Sequence, residues 1–93
     1  MIDNCFNLKL EGRLDTITAP KLQDVLIPAF DEAEKIILDF SRLAYISSAG
    51  LRVLLMGQKK ANEKNIPMTI KGVPEVIMEI FDITGFSDIL TIE

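Results

Sequence analysis

The chain has 93 residues, 48% hydrophobic and 26% charged, with a net charge of −4, which fits one globular domain over residues 1–93 and, with no basic cluster, argues against nucleic acid as a partner. No apolar run approaches the ~20 residues of a membrane span, so no membrane partner is expected either. Histidine is absent and Cys5 is the lone cysteine, which removes Ser-His-Asp and Cys-His nucleophiles, the common zinc ligand sets and any internal disulfide.

At the N-terminus, Met1-Ile2-Asp3-Asn4 places no basic stretch ahead of an apolar one, so no secretory signal is expected. With the single cysteine this suits a reducing, cytoplasmic setting. Phe6, Leu8 and Leu10 alternate with Asn7, Lys9 and Glu11, the pattern of a half-buried strand. Gly12 is expected to turn the chain. Thr18 can cap a first helix whose first turn takes Pro20, with Leu22, Val25, Leu26, Ala29 and Phe30 as its apolar face. Pro28 should kink that helix or end it early, because it lacks the N–H that would reach the Asp24 carbonyl.

Ile36-Ile37-Leu38-Asp39-Phe40 reads as a buried strand, broken by Ser41-Arg42 and followed by a second short apolar stretch. Ser47-Ser48-Ala49-Gly50 then leads into a helix from about Ser48 to Asn62. Leu51, Leu54, Leu55 and Ala61 face its core side. Val53 and Met56 lie on another side, under a neighbouring helix or on an exposed contact surface. Lys59, Lys60 and Lys64 suit the helix's negative end, and Asn65 a left-handed stop. Ile66–Ile70, with Pro67 at its first position, is a third strand. Pro74 opens a third helix with Ile77, Ile80 and Phe81 inward; Gly85 ends it and Phe86 packs back. Ile89–Ile92 is a last short strand. The expected core is Ile37, Leu38, Phe40, Leu51, Leu54, Leu55, Ile77, Ile80 and Phe81. Strands separated by helices imply a parallel α/β sheet with right-handed crossovers.

The strand-to-helix junction at Ser47 and Ser48 is sensitive to charge. The first N–H groups of a helix lack internal partners and the helix dipole is positive there, so an added phosphate is tolerated by the fold. From the residues alone, capping is the favoured reading of the pair, since Ser is a preferred N-cap.

Three segments carry a family resemblance: Gly12-Arg13-Leu14-Asp15 with Thr18-Ala19-Pro20, the junction Ser47-Ser48-Ala49-Gly50-Leu51, and Pro74–Phe86. In this order they resemble the STAS domain family of bacterial anti-sigma factor antagonists, whose junction typically reads Asp-Ser-Ser/Thr-Gly-Leu. The resemblance implies a STAS-like (βα)n fold, with a mostly parallel four-stranded sheet in sequential order and helices mainly on one face. The turn at Asp15, Ser47 and Ser48, and Gly72-Val73 would then share the carboxyl edge of the strands. It also implies that Ser48 is the phosphoacceptor, with Ser47 as second choice, and that Asp15 lies beside it. Asp15 is equally readable as a carboxylate bonding local N–H groups. Two departures stand out: Ser47 replaces the usual Asp, and Ala49 replaces a Ser or Thr.

The resemblance further implies an activity. An unphosphorylated domain binds an anti-sigma factor serine kinase and sigma factor is released; phosphorylation ends the complex, and a serine phosphatase restores it. The expected partner surface is Asp15, Thr16, Ser47, Ser48, Ala49, Gly50, Arg52 and Met56. ATP belongs to the kinase, so no cofactor or metal is expected, and no catalysis by this chain. The alternative is a non-switching STAS subunit of an ABC-type lipid transporter or stress-signalling complex.

Overall fold

The structure, a computed structural model, describes residues 4–93; the N-terminal stretch Met1–Asp3, read above for a signal sequence, lies outside the described residues. In chain order the elements are β1 (Cys5–Leu14), α1 (Ala19–Ala29), β2 (Lys35–Ile46), α2 (Ser48–Lys64), β3 (Met68–Lys71), α3 (Glu75–Thr84), a 3-10 turn (Phe86–Asp88) and β4 (Thr91–Ile92). The sheet has the sequential order β1-β2-β3-β4, and every neighbouring pair is parallel. This is the α/β arrangement expected from strands that alternate with helices.

One face of the sheet is dry. Ile36, Leu38, Phe40, Met68 and Ile70 join Leu26, Leu54, Ile77 and Phe81 from the three helices in one buried cluster. Phe40 and Phe81 meet with ring centroids 6.3 Å apart and planes tilted by 45°, a geometry aromatic pairs favour. Ile37 and Asp39 project to the other face, which is only partly covered. The core reading therefore needs correction at Ile37, whose place is taken by Ile36. Leu55 and Ile80 are half-buried rather than buried. Helix α2 approaches α1 closely at Gly57, where a Cβ would stand 2.8 Å from Leu26 Cδ2 and 3.2 Å from Met68 Sδ.

Several expected boundaries move. Gly12 does not turn the chain; it has φ +73° and lies inside β1, which continues to Leu14. Ser41-Arg42 does not break β2. Lys9 pairs with Asp39 but Glu11 with Arg42, and Gly12 pairs with Leu43 but Arg13 with Tyr45. β2 thus accommodates an extra residue in each interval, a bulge that keeps the strand going while resetting its faces. Its buried positions accordingly change from every second residue, Ile36, Leu38, Phe40, to every third, Leu43, Ile46. β3 begins at Met68, with Pro67 just ahead of it offering its carbonyl to the Ile36 N–H at 2.8 Å. The last strand is only Thr91–Ile92.

The helix ends obey local chemistry. Pro28 falls in the last turn of α1, which stops at Ala29 as expected. Val25, assigned to the apolar face of α1, is 46% exposed. Asn65 closes α2 at φ 56°, ψ 40°, and Gly85 closes α3 at φ 82°, ψ 2°, both left-handed stops. Val53 is buried, which places it against neighbouring elements, and Met56 stays on the surface.

Candidate functional site

β2 outruns β3. The two strands pair only as far as Asp39 and Lys71, whereas β1 and β2 remain paired to Leu14 and Ile46. The far end of the sheet is therefore a two-stranded tip, and both α1 and α2 start from it. Gly72-Val73 follows the carboxyl end of β3, as expected, but stands back from this tip: a Cβ on Gly72 would lie 3.1 Å from Ser41 Cβ and 3.2 Å from Asp39 Oδ1. The tip brings together the turn after β1, Asp15 to Thr18, and the junction after β2, Ser47 to Gly50. The Ser47 N–H donates to the Leu14 carbonyl at 2.9 Å and fastens one to the other.

At the junction the two serines divide their roles. Ser47 has extended backbone, φ −98° and ψ 174°, and its hydroxyl oxygen accepts from the Gly50 N–H at 3.3 Å. It is the N-cap of α2 and is half-buried. Ser48 is the first helical residue and is exposed. Ala49 is half-buried. Gly50, assigned to the partner surface from sequence, is buried instead, with a hypothetical Cβ 2.8 Å from Leu14 Cγ and 2.9 Å from the Leu14 carbonyl oxygen. It shapes the junction from beneath.

In the neighbouring turn, Asp15 is the organiser. Its Oδ1 accepts from the Ile17 and Thr18 N–H groups at 3.0 and 3.1 Å. These bonds, Thr18 first and Ile17 second, hold the carboxyl below its ordinary value, against a smaller opposing effect of desolvation. Thr18 stands at the N-cap position of α1 without capping it. Its hydroxyl donates to the Arg13 carbonyl at 2.7 Å and accepts from the Asp15 N–H at 2.9 Å. The carboxylate thus bonds local N–H groups, one of the two readings its sequence position allowed, while the cap expected from Thr18 is not made.

Thr16 is exposed beside Ile17, which is 73% exposed. Along α2, Ser48, Arg52 and Met56 recur every four residues, the spacing of one helix face, and all are exposed. Sequence reasoning passed over Ile17, Arg13 and Tyr45 as site residues. The Arg13 guanidinium lies 4.1 Å from the centre of the Tyr45 ring, and its Nε is 3.6 Å from Asp15 Oδ2. Arg13 and Tyr45 are cross-strand partners at the tip; the signal was present only in the register, which the bulges in β2 conceal.

Among the described residues no group of His, Cys, Asp or Glu is arranged to hold a metal ion, and no helix is long and apolar enough to cross a membrane. The tip offers an exposed hydroxyl, a fixed carboxylate, a stacked guanidinium and exposed apolar side chains. That is the equipment of a contact surface.

Comparison with known proteins agrees with this geometry. A protein-family profile described as "Mlab, STAS domain" matches residues 1–91. The chain is 33% identical over 89 residues to the anti-sigma-B factor antagonist of Staphylococcus epidermidis, covering 95% of this chain and 82% of that protein. Among solved structures, a putative anti-sigma factor antagonist from Thermotoga maritima superposes with a TM-score of 0.87 at 19% identity, covering 99% of this chain and 80% of that one. The anti-sigma factor antagonist SpoIIAA in its unphosphorylated form gives 0.81 at 16% identity, covering 100% and 84%. Its phosphorylated form, from Bacillus, gives 0.78 at 16% identity, covering 99% and 85%. At these identities the structures speak for a shared fold.

Proposed function

The chain belongs to the STAS domain family, and from that membership we propose that it is an anti-sigma factor antagonist switched by phosphorylation at Ser48. Unphosphorylated, it binds an anti-sigma factor that is a serine kinase, and sigma factor is released. The kinase then transfers the γ-phosphoryl group of ATP to the Ser48 hydroxyl oxygen; the hydroxyl proton goes to a base of the kinase, ADP leaves, and the complex separates. A serine phosphatase hydrolyses the phosphoserine and resets the cycle. The setting is cytoplasmic, and the surface offered comprises Asp15, Thr16, Ser47, Ser48, Ala49, Arg52 and Met56, over the buried Gly50.

The observation that carries this reading is the division of labour between the serines. Ser47 accepts from the Gly50 N–H while Ser48 is exposed at the head of α2. A phosphate there adds about −1.5 to −2 charges in the middle of the surface. It meets the positive end of the helix within its own chain, so the fold tolerates it. A partner docked on that surface must desolvate it or oppose it with like charge, at several kcal/mol, and each ~1.4 kcal/mol is tenfold in affinity. The name of the Staphylococcus epidermidis relative, an anti-sigma-B factor antagonist, supports the antagonist part of this reading.

A second reading keeps the fold: a non-switching STAS subunit of an ABC-type lipid transporter or a stress-signalling complex. It is favoured by Ser47 where the family usually has Asp, by Ala49 where it often has Ser or Thr, and by a matching profile whose description names Mlab. Incubation with the cognate kinase and ATP followed by tandem mass spectrometry separates the two. A single phosphate on Ser48 is expected. Phosphate confined to Ser47 would reverse the assignment, and no phosphate at all would leave the non-switching subunit.

A further inference from the structure

The sheet has two edges, and they differ. β4 contributes only Thr91–Ile92, a short edge that invites no pairing. β1 is Cys5–Leu14, contains no proline, and among the described residues has no strand on its outer side. The carbonyls of Asn4 and Leu14, both even-numbered, accept from Glu34 N–H at 2.7 Å and Ser47 N–H at 2.9 Å, on the β2 side. In a parallel strand the N–H and C=O of one residue point the same way and alternate along the chain. The backbone groups of Cys5, Asn7, Lys9, Glu11 and Arg13 are therefore turned outward.

We propose that this edge pairs with the β1 edge of a second copy, antiparallel about a two-fold axis at Leu10, giving a continuous sheet across a homodimer. The register follows from charge. With Leu10 opposite Leu10 of the second copy, Lys9 faces Glu11 and Glu11 faces Lys9, while Asn7 faces Arg13. Moving the axis to residue 9 would set Lys9 against Lys9. Moving it to residue 11 would set Glu11 against Glu11 and Lys9 against Arg13. Like charges directly opposite are destabilising and opposite ones favourable. Lys9 also lies beside Asp39 of its own β2, its cross-strand partner, so the ammonium would lie between two carboxylates.

In the same register the outward backbone groups of Lys9 and Glu11 meet as a hydrogen-bonded pair, and Gly12 sets no side chain against Leu8. A two-fold axis perpendicular to the sheet keeps both helical layers on one side. It therefore joins the two copies of an open groove of about 210 Å³ lined by Leu8, Leu10, Leu22, Val25 and Leu43, and this covers the exposed Val25. Because the paired strands are antiparallel, the two Ser48 tips lie at opposite ends of the seam and both stay accessible.

Charge exchange tests this on the full chain. Lys9 and Glu11 are both exposed, so Lys9→Glu, Glu11→Lys and the double exchange should fold alike by circular dichroism. Sedimentation velocity over a concentration series should show a monomer–dimer equilibrium for the wild type. Each single exchange places like charges opposite one another twice per dimer and should weaken dimerisation by about tenfold or more, and the double exchange should restore it. A wild type that stays monomeric to its solubility limit overturns the proposal. So does a dimer indifferent to the single exchanges, or one that the double exchange fails to recover.

Discussion

The Ser47 N–H donates to the Leu14 carbonyl at 2.9 Å, so the last residue of β1 holds the cap of α2. Leu14 also lies under Gly50, one turn into the helix. The exposed hydroxyl at Ser48 is thus presented by a junction clamped from two directions by a single residue, and the turn at Asp15 follows directly from that residue. Charge placed on Ser48 arrives at a rigid point, where little can rearrange to relieve it.

Gly50→Ala should be costly for this reason. The new methyl would stand 2.8 Å from Leu14 Cγ, 2.9 Å from Ile46 Cγ1 and 2.9 Å from the Leu14 carbonyl oxygen. Backbone cannot step aside as a side chain can, so a loss of about 1–3 kcal/mol is expected, as for other overpacked sites. Urea denaturation measures it. A loss under ~0.5 kcal/mol would mean that the start of α2 can slide away from β1.

Helix register and strand register can be checked together. Leu54 and Ile36 are fully buried, and Ile37 is on the partly covered face. Leu54→Ala and Ile36→Ala should each destabilise by about 2–5 kcal/mol, and Ile37→Ala by clearly less. If Ile37→Ala cost more than Ile36→Ala, the strand would be turned over.

That contrast marks where the sequence was legible. The stops at Asn65 and Gly85 and the early end after Pro28 all depend on residues within a turn of one another, and they were readable. The run Lys35–Phe40 has no polar alternation over Ile36, Ile37 and Leu38, so nothing local says which isoleucine points inward. The bulges of β2 depend on pairing with β1, far away in sequence, and they hid both the strand's length and the Arg13–Tyr45 contact. Gly72-Val73 does follow the carboxyl end of β3, but it stands back from the tip because β3 stops opposite Asp39, a length that no residue in β3 announces. The choice of Ser48 over Ser47, by contrast, came from the family resemblance, because locally either serine could cap α2.

Acid should loosen the protein through two carboxylates. Asp15 is held below its ordinary value of 3.8 chiefly by the Thr18 and then the Ile17 N–H groups, and Asp39 chiefly by the Ser41 N–H. The depressed folded values mean that the unfolded chain binds protons first as pH falls. The contribution of each group is complete above its unfolded value, and it fades as pH drops from there through the folded value. The urea midpoint should therefore be flat near neutrality and fall below about pH 4. Asp15→Asn should be less stable at neutral pH and show a shallower acid slope. An unchanged slope would mean that Asp15 gains nothing from its turn.

The two serines should separate without any partner present. Ser47→Ala removes the oxygen that accepts from Gly50 N–H and should cost about 0.5–2 kcal/mol, nearer the lower figure because the bond is long at 3.3 Å. Ser48→Ala removes an exposed hydroxyl and should change stability by less than ~0.5 kcal/mol. Thermal unfolding of both variants decides it. Equal losses would assign the capping role to both residues.

Charge at position 48 is the remaining test, and it needs the anti-sigma factor. Ser48→Asp should fold at least as well as the wild type, since a carboxylate in the first turn of a helix is favoured by about 0.3–1 kcal/mol. Ser48→Ala should bind the partner as the unphosphorylated protein does, because it adds no charge. Ser48→Asp should bind about tenfold more weakly or worse, at least ~1.4 kcal/mol. Phosphoserine carries more charge and more acceptor oxygens than the aspartate, so it should weaken binding further. Titration calorimetry with circular dichroism as the folding control measures the series. A graded order of Ala, Asp and phosphoserine would tie affinity to charge at the head of α2. Equal affinity for the Ala and Asp variants would put position 48 outside the contact surface, and the non-switching subunit would then be the better reading of this STAS domain.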